Sequence, residues 1–261
     1  MAKKITDKVT WVGKIDWELV YFHGHELSTY KGSSYNSYLV QELFSFGEGE
    51  TYVDLGAYNG DTVQEFLQLT RGRYKKIFAL EPDEKNFKKL TEYVQQNEME
   101  NVECIPAGVW NECGTLELTG NGGRQSTFCK NERTTSAEIP VMDSLPAQNI
   151  IHSMPKKSSA HKKVKTQQAD VVSVDSVLGN GYADYMKFDV EGVEKEALEG
   201  AAKHLIPGVD GKLPKLLIAA YHHDEDIFAL PLLLWKLQPA YKIYLRKHPY
   251  VPAWEINIFA K

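Results

Sequence analysis

The chain has 261 residues, of which 43% are hydrophobic and 25% charged, and it carries a formal net charge of −5 at pH 7. Those figures exclude a collagen, a coiled coil and a chain disordered throughout, and they fit one elaborated α/β domain that buries roughly 70–75% of its extended surface. The acidic balance argues against a nucleic-acid partner, which calls for a basic footprint. No apolar run reaches the roughly 18–20 residues of a membrane span, so no membrane association is expected. The first residues, MAKKITDKVTW, have no apolar core and do not read as a signal peptide. Cys104, Cys113 and Cys129 are odd in number and unpatterned, so reduced thiols in a cytoplasm are expected.

Taken in chain order, residues 1–45 read as a β-rich extension (WVGKIDW, ELVYF, SYNSYLV) and residues 46–261 as the main domain. Strands are predicted at Thr51–Leu55 and Lys76–Leu80, with a helix from about Thr62 to Leu69 between them. Asp83 is a good N-cap for a helix carrying Phe87, Leu90 and Val94 on one face. A third strand is predicted at Val102–Pro106, with Thr115–Leu118 extending that region as a hairpin. Residues 120–170 are polar, with basic clusters at Lys156–Lys157 and Lys162–Lys165. They read as an insertion, either a lid or a solvated tether, with a short strand near Glu138–Met142. Further strands fall at Tyr185–Val190 and Lys215–Tyr221. A helix between them shows Val193, Ala197, Leu198, Ala201 and Leu205 on its apolar face. A helix around Pro231–Leu237, with Pro231 in its first turn, precedes two strands, Lys242–Arg246 and Glu255–Phe259, placed to pair antiparallel. Strands alternating with amphipathic helices predict a doubly wound α/β sheet.

The most informative stretch is VDLGAYNGD, residues 53–61, set between a strand and a helix. Gly56 and Gly60 allow a tight turn and close approach of a ligand, and the helix N-terminus offers free N–H donors. Asp54 ends the strand, placed to accept from an ammonium group or a water. Glu81 ends the next strand about 20 residues beyond Gly60, where an acid accepts from both hydroxyls of a ribose. The spacing G-x-x-x-G is not a pyrophosphate cradle, and Asp61 would repel a pyrophosphate. S-adenosylmethionine has no phosphate and brings a sulfonium and an ammonium, so an acid-lined turn suits it better than NAD.

YVDLGAYNGD, FALEPDEKNFKKL and DYMKFDVEGVEKEALEGAAKHL together resemble the FkbM family of class I methyltransferases. The family signature K-x-D-x-E-G-x-E is matched by Lys187, Asp189, Glu191, Gly192 and Glu194. The resemblance covers about residues 46–261. It implies a Rossmann-like, seven-stranded sheet with an antiparallel last strand, and S-adenosylmethionine-dependent methyl transfer to a hydroxyl of a small molecule, sugar or glycan. It implies cofactor-binding roles for Asp54, for the turn Gly56, Ala57, Tyr58, Asn59, Gly60 and Asp61, and for Glu81 and Pro82. Asp83 and the backbone of Ala107 and Gly108 would lie by the adenine.

Methyl transfer to a hydroxyl needs alignment and a group to take the proton. Asp189, at the carboxyl edge of the fourth strand, is the first candidate, followed by Glu191 and a histidine of the fifth strand. His222 and His223 are adjacent, so one of them should face the cleft. Glu194 reads as structural, with Lys187 as a pairing partner. Asp189, Glu191, His222 and Asp224 have the donor types of a metal site, but no spacing singles them out and no metal is expected. Ser126 and Thr127 are further candidates to touch acceptor or cofactor. Residues 4–40 carry a second resemblance, to the opening of flavodiiron proteins. That family's H-x-E-x-D-H metal signature is missing from the chain, so its diiron site is not carried over. A degenerate S-adenosylmethionine-binding module and an NAD-dependent oxidoreductase are the rival readings. The β-rich extension offers an edge through which the chain could form a homodimer.

Overall fold

The computed structural model describes residues 40–119, 127–129, 166–208, 210–247 and 256–261. Most of the expected β-rich extension (residues 1–39), the strand expected at 138–142, both basic clusters and Ser126 lie outside the described residues. Residues 40–43 are helical, and Val40, Leu43 and Phe44 are buried against the main sheet.

Eleven strands are described, in two sheets. The first holds β1 (Glu50–Leu55), β2 (Tyr74–Leu80), β3 (Val102–Ile105), β8 (Tyr185–Phe188), β9 (Lys215–Ala219), β10 (Ile243–Lys247) and β11 (Ile256–Ala260). Its order is β10-β11-β9-β8-β1-β2-β3, parallel except for β11, which runs antiparallel to both β9 and β10. The order reverses between β1 and β8, and in an open α/β sheet the crevice at that switch is where ligands bind. The second sheet holds β4 (Gly108–Val109), β5 (Gly114–Thr119), β6 (Thr127–Cys129) and β7 (Thr166–Val172), in the order β4-β7-β5-β6. The hairpin expected from Thr115–Leu118 as an extension of β3 is therefore corrected. That strand pairs antiparallel with β6 and with β7, a strand distant in sequence.

Alternation along the central strands explains two packed faces. Val53, Leu55, Met186, Phe188, Leu216 and Ile218 point to one face. There they meet Ala197 and Leu198 of α4 (Glu194–Glu199) and Leu230 and Leu234 of α5 (Asp226–Leu237). Tyr52, Ile77, Ala79, Tyr185 and Leu217 point to the other face. They meet Val63 and Phe66 of α1 (Asp61–Thr70) and Leu90 of α2 (Glu84–Gln96). Tyr52 stacks between Phe66 and Tyr185, with ring centroids 4.4 and 4.9 Å apart. The short α3 (Val174–Leu178) is capped by the Ser173 side chain, which accepts from Ser176 N–H. Helix α5 begins five residues before the predicted start, so Pro231 sits inside it rather than in its first turn, and the helix forgoes one N–H donor there. Asp226 explains the earlier start: its carboxylate accepts from the His223 N–H and closes the entry turn. Among the described residues no helix is long and apolar enough to cross a membrane.

Candidate active site

The carboxyl ends of β1, β2, β8 and β9 open on one cavity of about 180 Å³. Its floor is the turn after β1. Gly56 has φ +86°, and a Cβ there would stand 2.0 Å from the carbonyl oxygen of Asp189. Only glycine lets the turn lie on the chain leaving β8. Gly60, the N-cap of α1, has φ +91°, and a Cβ there would meet the Tyr93 ring at 2.7 Å. Between them Tyr58 takes a left-handed φ of 48°, and its N–H donates to Glu81 Oε2 at 3.0 Å.

Glu81 thus ties two loops together, because its Oε1 also accepts from the Asp83 N–H at 2.9 Å. The Asn86 side chain also bonds this carboxylate, whose two oxygens together offer about four acceptor sites. Burial raises the Glu81 carboxyl to about 7, against the partial relief of those two backbone bonds. Asp54 is fully buried. It accepts from the Thr62 hydroxyl, and its Oδ1 has no hydrogen-bond partner. The ammonium expected near Asp54 comes from the chain itself: Lys187 Nζ lies 3.8 Å away. Burial still raises the Asp54 carboxyl above its ordinary range.

Lys187 also reaches Asp189 Oδ2 at 3.3 Å. The pairing expected between Lys187 and Glu194 is corrected. Lys187, on β8, bridges the acids at the ends of two neighbouring strands, and Glu194 turns to His222 instead. Tyr221 donates its hydroxyl to Asp189 Oδ1 at 3.0 Å. Burial alone would raise the Asp189 carboxyl, but the charges of Lys187 and His222 and the Tyr221 hydroxyl outweigh it and lower it.

His222 Nδ1 stands 2.8 Å from Glu194 Oε1, and Nε2 stands 3.5 Å from Glu191 Oε2 and 3.9 Å from Asp189 Oδ1. Burial would lower the imidazole, but the three carboxylates outweigh it and push it up to about 10. His222 therefore carries its proton at neutral pH. In that state it donates to the carboxylates around it. His223 contacts the Gly192 carbonyl at 2.9 Å, and neither histidine lines the cavity. Asp224 is exposed and lies apart from the cluster.

Of the candidate cofactor residues, Gly56, Tyr58, Asp61, Glu81, Pro82, Ala107 and Gly108 line the cavity, as do Asp189 and Glu191 of the candidate catalytic set. Ala57, Asn59 and Gly60 shape the turn beneath. Asp83 does not line the cavity; its Oδ1 caps α2 by accepting from the N–H groups of Lys85 and Asn86, both at 3.0 Å. Glu191 lies in the turn before α4, with φ 57°, rather than in the helix. The cavity also includes Thr62, Glu65, Asn86, Leu217 and Asn257, which the sequence reading did not single out. Thr62 had a local signal, since a hydroxyl in the first turn after a glycine bend can reach back to the strand-end acid. Asn257 had none, because β11 joins the site from the far end of the chain.

Residues 54–230 match the methyltransferase FkbM domain. The fold resembles the FkbM methyltransferase of Methylobacillus flagellatus KT with a TM-score of 0.60 and 20% identity, over 86% of this chain and 46% of that one. Short matches join the chain to a nitric oxide reductase of Moorella thermoacetica (53% identical over 36 residues) and an anaerobic nitric oxide reductase flavorubredoxin of Aliivibrio fischeri (55% over 42 residues). The chain spans 9% and 8% of the length of those two proteins. The domain match covers the turn, Glu81 and the Asp189 edge alike, and the chain belongs to the FkbM methyltransferase family.

Proposed function

We propose that the protein transfers a methyl group from S-adenosylmethionine to a hydroxyl of a small molecule or sugar. The observation that carries this reading is a single cavity with two unlike ends. One end has a turn that admits no Cβ and a buried acceptor carboxylate, Glu81; the other has the anion of Asp189.

The residues fit the cofactor. Asp54 is engaged by Lys187, and the carboxylates of Asp61 and Glu65, which line the cavity, would supply negative potential for a cationic amino-acid end. Glu81 has acceptor capacity left for ribose hydroxyls, and Pro82 with Ala107–Gly108 would flank the base. Asp61 lines the cavity at the start of α1, where the phosphates of a dinucleotide would meet its charge. When bound, S-adenosylmethionine supplies a methyl carbon on a sulfonium, and the sulfur keeps the bonding pair as the new carbon–oxygen bond forms. Asp189 would accept a hydrogen bond from the acceptor hydroxyl and take its proton at a carboxylate oxygen. A carboxylate of lowered pKa is a weak base for a free alcohol. It suffices for an oxygen whose acidity rises as it bonds to carbon, so positioning supplies most of the rate. Tyr221 and Lys187 hold Asp189 in place, and His222 keeps it charged.

The test is methyl transfer from labelled S-adenosylmethionine to a panel of sugars and hydroxylated metabolites, read by mass spectrometry. The expected result is a methyl ether whose formation falls sharply in Asp189→Asn while cofactor affinity holds. Methylation on nitrogen or carbon, or transfer that Asp189→Asn leaves unchanged, would overturn the reading.

A further inference from the structure

The charge of the cofactor explains the acids that line the cavity, but not Glu194. Glu194 is 1% exposed and does not line the cavity. It is held from both sides. Its Oε1 accepts from the N–H groups of Val190 and Gly192, at 3.0 and 3.4 Å. The turn that presents those donors is strained at Glu191, a non-glycine residue at φ 57°. Its Oε2 is buried with no hydrogen-bond partner. His222 Nδ1 is likewise buried and stands 2.8 Å from Oε1.

A buried carboxylate oxygen without a hydrogen bond, beside an imidazole, offers the donor types a metal ion takes. Asp189 completes the set: one donor atom from each of Asp189, Glu194 and His222 lies within 4.8 Å of the others. Three elements converge to place them, since Asp189 follows β8, Glu194 opens α4 and His222 follows β9. Three carboxylates, Asp189, Glu191 and Glu194, each come within 4 Å of the His222 ring nitrogens.

We infer that Asp189, Glu194 and His222 form a divalent cation site at the acceptor end of the cavity. One imidazole and two carboxylates suit a hard or borderline ion such as Mn²⁺ or Zn²⁺, and three protein ligands leave positions open for water or acceptor oxygens. The ion would replace the imidazole proton as the cation among the carboxylates. Because Asp189 lines the cavity, the open positions would face the acceptor. Resting on the proposed methyl transfer, the site selects an acceptor with two adjacent oxygens, one to be methylated and one to anchor.

The test is titration of the full chain with Mn²⁺ alone, without methyl donor, followed by electron paramagnetic resonance. One saturable ion per chain is expected, with nitrogen coupling from an imidazole, and about 100-fold weaker binding in Glu194→Gln and His222→Asn than in Glu103→Gln, an exposed acid far from the cluster. The nitrogen coupling is read on the unaltered protein, so a variant that fails to fold does not decide the outcome. Absence of saturable binding, absence of nitrogen coupling, or equal binding by folded Glu194→Gln would overturn the site. If S-adenosylmethionine still binds in that case, the metal inference alone falls; if the methyl donor does not bind, the functional reading falls with no bearing on the ion.

Discussion

At the β1–β2 end of the cavity, burial raises the carboxyls of Asp54 and Glu81, the latter to about 7. At the β8–β9 end, Asp189 is lowered although burial alone would raise it, because Lys187, His222 and Tyr221 surround it. The first end is built from backbone: a glycine turn, a left-handed tyrosine and N–H groups aimed at a carboxylate. The second is built from side-chain charges that hold one another. A site made of backbone donors recognises a fixed ligand shape, whereas a site made of ion pairs keeps an anion available where a proton must be handled. The two ends meet at Lys187, whose ammonium is shared by Asp54 and Asp189.

The contrast can be broken most severely at its hinge. Gly56→Val places carbon within 2.0 Å of the Asp189 carbonyl at a positive φ, so loss of about 3 kcal/mol or more is expected in urea denaturation, with both ends of the site lost together. Glu81→Ala should leave the fold intact and weaken S-adenosylmethionine by about 100-fold in calorimetry, since hydrogen bonds to a charged group are the strong ones.

The same carboxyl predicts a pH dependence. Ribose hydroxyls favour ionised Glu81, so affinity for S-adenosylmethionine should be about tenfold weaker at pH 6 than at pH 8, and Glu81→Gln should flatten the profile. The sign for stability is the reverse. A carboxyl raised on folding from 4.5 to about 7 contributes stability below pH 4.5 and loses it as pH rises through about 7. Thermal melts of the ligand-free protein should therefore weaken across that window. At the other end, Tyr221→Phe removes one neutral donor from Asp189; turnover should fall about three- to tenfold, with cofactor affinity unchanged. Lys88→Ala, which breaks an exposed pair with Glu92, should shift stability by less than about 0.5 kcal/mol and leave both ends untouched.

The β1–β2 end of the cavity was legible in the sequence because its parts are local. A strand, a glycine turn and a helix lie within VDLGAYNGD, and the next strand ends on Glu81. Seven strands with the last antiparallel followed from the family resemblance, and the strands themselves from their apolar runs. The second sheet was not legible, because β5 pairs with β7 across some 50 residues of polar chain. The β8–β9 end was legible as composition but not as geometry. Asp189, Glu191 and His222 stood out by type, while the partners of Lys187 and Glu194 depend on how three strand ends meet in space. Pro231 misled the helix boundary because a proline is commonest in a first turn, and the closure by Asp226 overrode that preference.

Calorimetric titration of the purified full chain with S-adenosylmethionine, with NAD as the parallel control, tests the central claim most directly. The account predicts saturable binding of one S-adenosylmethionine per chain, no binding of NAD, and loss of the signal in Glu81→Ala. A folded protein that binds NAD instead, or that binds neither, would contradict it.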